Sequence, residues 1–137
     1  MKTKRMSRMK DLLYESERLE AKGYKIENAK ITSVDLSMAD HGCLVLSLVI
    51  EGNGWGVCFG GHVIGKGYLG ASEFEGYERG TEYIMRIMDT VGVEKFNSMK
   101  GKHIRVATKG WGESVKIIGN IIDDKWFNVE EFFKNEE

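Results

Sequence analysis

Proline is absent from the 137 residues, an absence that excludes little by itself. Cysteine is nearly absent. Two residues, Cys43 and Cys58, cannot make a disulfide framework, and their place in apolar runs reads as buried free thiols. No apolar run reaches the roughly 18 residues needed to span a bilayer. The basic start, MKTKRMSRMKDLL, is not followed by an apolar core of signal-peptide type, so a cytoplasmic protein is expected. Charge of one sign is also lacking. The formal net charge of -1 removes any global pull toward nucleic acid or an acidic membrane. Motifs of catalysis are missing too: there is no GxSxG, no HExxH, no Walker loop and no CxxC pair. His41, His62 and His103 are too scattered for metal-ligand spacing, although Cys58 and His62 mimic a nucleophile pair if the glycines between them do not bulge.

What the chain has is glycine, unevenly spread. Ten of its 17 glycines fall between Gly52 and Gly80. Basic residues cluster as well: Lys2, Lys4, Arg5, Arg8 and Lys10 occur without an acid, and residues 94–109 carry five basic groups against one acid. The tail from Asp123 onward is acidic. With 42% hydrophobic and 30% charged residues, the composition is that of one globular domain.

Periodicity supplies the elements. Residues 4–22 read as an amphipathic basic helix ending at Gly23, set apart from a single α+β domain over 24–137. Residues 25–38 alternate with a slip of phase that a bulge near Thr32–Ser33 reconciles. Asp40-His41-Gly42 and Gly52-Asn53-Gly54 are turn signals on either side of a near-continuous apolar strand, CLVLSLVIE. The next strand, from Trp55, is sound as far as Phe59, after which Gly60 and Gly61 mark a bend or a close approach. A long loop follows over 65–80, and a helix begins at Thr81, with Ile84, Ile87, Met88 and Val91 on one stripe. Residues 102–109 and 113–122 read as a hairpin of strands, and NVEEFF as a short closing helix capped by Asp123 or Asn128. The order α-β-β-β-α-β-β-α predicts an α+β fold on an antiparallel sheet of about five strands with helices packed against it.

Candidate binding residues follow from chemistry. His103, Arg105 and Lys109 share one face of a strand whose other face carries Ile104 and Val106. That row is a solvated face unless another element or subunit covers it, in which case it becomes a phosphate site. Arg86 on the helix and Lys125 beside Trp126-Phe127 would complete such a pocket, because arginine presents a planar fork and lysine a point charge to phosphate oxygens. Tyr68, Tyr83, Trp111 and Phe127 are rings on which a base can stack. Phe59, Gly60, Gly61 and His62 form either a wall that a ligand approaches closely or an ordinary bulge against the protein's own backbone.

Four stretches together, F59-G-G-H62, G80-T-E-Y-I-M-R-I-M-D-T-V-G-V93, M99-K-G-K-H-I-R-V106 and D123-D-K-W-F127, resemble the phage anti-Thoeris proteins of the first type described. The likeness covers roughly residues 25–133 and fades in the basic amino-terminal helix. It implies a sponge and not an enzyme, working in the cytoplasm of an infected bacterium without a cofactor. Proteins of that family sequester cyclic ADP-ribose isomers made by bacterial TIR-domain proteins, without degrading them. Some members also hold cyclic trinucleotides at separate sites in a hexamer built from dimers. For this chain the resemblance implies a homodimer or hexamer with ligand sites at subunit contacts. Two other classes stay open on the residues alone: a small nucleic-acid-binding module using the basic clusters, which the net charge opposes, and a module that inhibits a host protein through an exposed edge strand or the first helix.

Overall fold

The computed structural model describes residues 15–110 and 114–134 of the chain, apart from the side chain of residue 40. Expectations placed on residues 4–14, on Trp111 and on the start of the strand predicted from 113 lie outside the described residues. In chain order the elements are α1 (Glu15–Ala21), β1 (Lys25–Asp40), β2 (Cys43–Gly52), β3 (Trp55–Lys66), β4 (Glu75–Gly76), α2 (Glu78–Val91), a 3-10 turn (Phe96–Met99), β5 (His103–Thr108), β6 (Ile117–Asn120), β7 (Trp126–Asn128) and α3 (Val129–Lys134). The fold is α+β, with one curled antiparallel sheet in the order β4-β3-β2-β1-β5-β6-β7. No helix among the described residues is long and apolar enough to cross a membrane.

The central strands follow the apolar pattern. β1 pairs with β2 on one side and β5 on the other, and its register shifts between Ile31 and Ser33, where the sequence changes phase. Alternation then separates two cores. Ile31, Leu46, Leu48, Ile50, Phe59, Ile104, Val106 and Ile118 lie on the face that packs against Tyr83, Ile87 and Val91 of α2. On the opposite face a smaller cluster joins Leu19 of α1 to Ala107 and Ile117. The face of β5 that carries Arg105 and Lys109 is therefore partly roofed by α1. Leu19, the buried residue of α1, makes this docking.

Four expectations are corrected. The sheet has seven strands and not about five. One addition is the two-residue β4, inside the loop read over 65–80. The other arises because the strand expected over 113–122 stops at Asn120. The Asn120 carboxamide oxygen accepts from the backbone N–H groups of Ile122 and Asp123, both at 2.9 Å, which turns the chain back into β7. Its Nδ2 donates to the carbonyl of Thr90 at 3.0 Å, so the same side chain also ties the end of α2. Second, α2 starts at Glu78, ahead of Thr81. Gly80 lies in its first turn, where a Cβ would stand 2.9 Å from the Ile64 carbonyl oxygen. This glycine brings the helix onto β3 and does not belong to a loop. Third, β3 runs on to Lys66, into the stretch read as a loop over 65–80; it passes through the glycines by the bulge that is one of their two readings, with Val45 opposite Val63 and Ser47 opposite Gly60. Fourth, Cys58 is exposed and Cys43 only half-buried. Alternation places Phe59 in the core and leaves Cys58 on the opposite face, exposed among the described residues. The closing helix is as expected, with Asn128 accepting from the Glu131 N–H at 3.1 Å.

Candidate functional site

Of the cations and rings singled out in the sequence, Arg86, Lys109 and Phe127 meet at one rim of the sheet, beside Trp126. β7 is an edge strand, and its alternation sends Trp126 and Phe127 to opposite faces. A cleft of about 590 Å³ wraps this edge. Lys22 and Tyr24 contribute from the end of α1 and the turn after it, Lys109 from just beyond β5, Arg86 from α2, and Glu131 and Phe132 from α3. The volume is within the usual range for a small-molecule site. Among the described residues of the lining, three cations face two acids, Glu15 and Glu131, a positive balance.

Two of these cations, Arg86 and Lys109, are poised over a ring or beside a carboxylate. The Arg86 Nε donates to Glu82 Oε2 at 2.7 Å one helical turn away, and its guanidinium lies 5.8 Å from the Phe132 centroid. The hydrogen bond from Arg86 is the main cause holding the Glu82 carboxyl below its ordinary value. Arg79 also bonds Glu82, at 3.4 Å, and covers Phe132 at 4.2 Å. The Lys109 ammonium sits 4.8 Å from the Tyr24 ring. These are exposed or half-exposed contacts, which solvent screens, so an anionic ligand could recruit Arg86 and Lys109 at small cost.

Behind the lining, Asp124 fixes the geometry. Its carboxylate accepts from the backbone N–H groups of Glu15 at 2.8 Å and Ser16 at 3.0 Å, and from the Trp126 indole Nε1 at 2.8 Å. One acid from the β6–β7 turn thus caps α1 and orients the indole. Arg105 supports the other side. It donates to the carbonyls of Asn120 and Asp123, both at 2.8 Å, and its guanidinium lies 4.8 Å from the Trp126 ring.

The predicted residues thus divide. Arg86, Lys109 and Phe127 line the cleft. Arg105 lies directly behind it, against Trp126. Lys125 is engaged elsewhere on the surface, with Nζ 3.2 Å from Asp89 Oδ1. His103 is exposed at the start of β5, opposite Lys30. Phe59 and Tyr83 are fully buried in the main core, and Tyr83 donates to the Leu46 carbonyl at 3.2 Å. Burial pushes the Tyr83 hydroxyl above its ordinary value of 10.0. Gly60 and Gly61 adopt φ of +97° and +86°. A Cβ on Gly60 would strike the Tyr83 hydroxyl and the Leu46 carbonyl oxygen, whereas one on Gly61 would meet nothing within 4 Å. The close approach at Gly60 is therefore to the protein itself. His62 packs under α3, away from the cleft lining.

Sequence reasoning did not select Lys22, Tyr24, Asp124 or Phe132 for the site, and named Trp126 only as the neighbour of Lys125 and Phe127. Trp126 stood in view beside Lys125, but only the pairing of β6 with β7 shows which face it takes. Among the described residues no group of three or more His, Cys, Asp or Glu side chains is placed to hold a metal ion. No protein-family model, curated protein or solved structure matches the chain.

Proposed function

We propose that the protein is a non-catalytic binding protein that takes up a nucleotide signal of the cyclic ADP-ribose type in the Trp126 cleft and withholds it intact, acting as an anti-defence sponge in the bacterial cytoplasm. The observation that carries this reading is the lining: Lys22, Arg86 and Lys109 set around Tyr24, Trp126 and Phe132. A pyrophosphate calls for cations that can donate several hydrogen bonds, and an adenine calls for a flat ring to stack on. The rim acids Glu15 and Glu131 supply acceptors for ribose hydroxyls or an adenine amine. The cleft lies at a sheet edge, so the reading includes a second copy that closes it, in a dimer or an assembly of dimers. Cyclic trinucleotides at separate sites belong to the same proposal.

The test is uptake and release. Purified protein incubated with a cyclic ADP-ribose isomer should remove it from solution and return it unchanged on heat denaturation; a cleaved product would overturn the sponge. Lys109→Glu and Arg86→Ala should each weaken binding by about tenfold or more, the loss expected for one charge-assisted hydrogen bond. Unchanged affinity in both would remove the cleft from the reading.

A second reading, a module that binds a host protein, is favoured by the exposed apolar side chains Tyr68 (66%), Leu69 (88%) and Phe74 (64%) in the loop flanking β4. Pull-down from host lysate separates the two, since a sponge should recover ligand and no stoichiometric protein.

A further inference from the structure

The glycine bulge of β3 lies outside the cleft lining, yet it leaves one histidine in an unusual setting. The His62 ring stacks on Phe133 of α3, with centroids 4.4 Å apart and planes at 16°, and meets Tyr83 of α2 edge-on at 6.3 Å. Its Nδ1 is buried without a hydrogen-bond partner among the described residues. A neutral imidazole tolerates this with Nδ1 as the bare nitrogen. An imidazolium does not, because a buried N–H with no acceptor forfeits its solvation. Glu131 and Phe132, the two residues before Phe133 in α3, line the cleft.

We propose that His62 is a proton-operated latch on α3: neutral, it holds the helix and the cleft wall in place, and protonated, it releases them. The effect on ligand rests on the cleft reading above; the movement of α3 does not. The surrounding groups agree with this direction. Burial lowers the His62 pKa below its ordinary 6.5, against an opposing pull from Glu130 of α3. That carboxylate is itself held by Lys116, just before β6, at 2.7 Å, with Lys134 of α3 also acting on it. From α2, the Tyr83 hydroxyl is committed to Leu46, and Arg79 lies on Phe132 and donates to its carbonyl at 3.0 Å. The released state therefore binds a proton more readily than the docked state. Docking is at full strength above about pH 6.5 and weakens as pH falls below it, levelling off once the docked state also protonates.

Amide hydrogen exchange of residues 129–134, corrected for the intrinsic rate, tests this directly. Between about pH 7.5 and about pH 5.5 the wild type should lose about fivefold protection in α3, and His62→Phe, which keeps the stack and cannot ionise, should lose none. An equal pH response in both proteins would overturn the latch. Should His62→Phe not fold, an NMR titration of the wild-type imidazole decides instead, and a midpoint at or above 6.5 overturns the proposal. Binding of a cyclic ADP-ribose isomer at the two pH values should weaken only in the wild type. A protein that binds none at either pH but still releases α3 through His62 would sink the cleft reading and leave the latch standing.

Discussion

Gly60 and Gly61 are neighbours with nearly the same backbone conformation and different surroundings. Both have φ near +90°, where an L side chain is strained by about 1–2 kcal/mol. Only Gly60 faces an obstacle, because a Cβ there would press on the Leu46 carbonyl oxygen at 2.7 Å as well as on the Tyr83 hydroxyl. Gly61→Ala should therefore cost about 1 kcal/mol, and Gly60→Ala roughly 2–4 kcal/mol, read as midpoints of urea unfolding. Equal losses would show that conformation alone, and not the collision, explains the pair. The glycines themselves were legible as a break in a strand pattern. What stood behind them was not, because the Tyr83 hydroxyl arrives from α2, 23 residues further along the chain.

At the scale of elements, α1 is joined to the rest of the described fold through Leu19 and Asp124. It buries one side chain, Leu19, and its first amides are satisfied by Asp124 across a sequence separation of more than a hundred residues. Asp124→Ala removes three acceptor contacts at once and leaves the Trp126 indole N–H without its partner. A loss of about 1–3 kcal/mol is expected. It should be local: hydrogen exchange should rise in residues 15–21 and leave β1, β2 and β5 protected. Global loss of protection would mean that α1 is integral to the main core. The amphipathic periodicity announced α1 and α2, and the alternation announced β1, β2 and β5. The turn at Asn120 and the first turn of α2 were not announced, since both depend on a side chain or a glycine meeting a distant element.

For the whole molecule, net charge conceals the arrangement that matters. The chain is nearly neutral, but Lys22, Arg86 and Lys109, distant in sequence, converge on one edge of the sheet. Binding of an anionic ligand there should weaken as salt rises from about 0.05 M to about 0.5 M, because partly exposed charges are screened within about a Debye length. Isothermal titration with a cyclic ADP-ribose isomer, the ligand proposed for the cleft, at several salt concentrations checks this, and salt-independent affinity would argue for an apolar mode of recognition. Lys109→Glu should flatten the dependence as well as lower the affinity.

Local pattern determined much of this protein. Apolar alternation and helical spacing settled an α+β architecture, the hairpins around β2, the bulge in β1 and the core roles of Ile104 and Val106, because those features depend on residues close together in the chain. The basic row on β5 was legible too, as chemistry awaiting a cover. Only the tertiary structure decided what covers it. α1 docks on Ala107 and Ile117, Asp124 ties that helix to Trp126, and the curl of the sheet carries Arg86 to the same edge. Those contacts join segments up to 109 residues apart. Side-chain alternation can say which face a residue takes, but the partner on that face is set by packing.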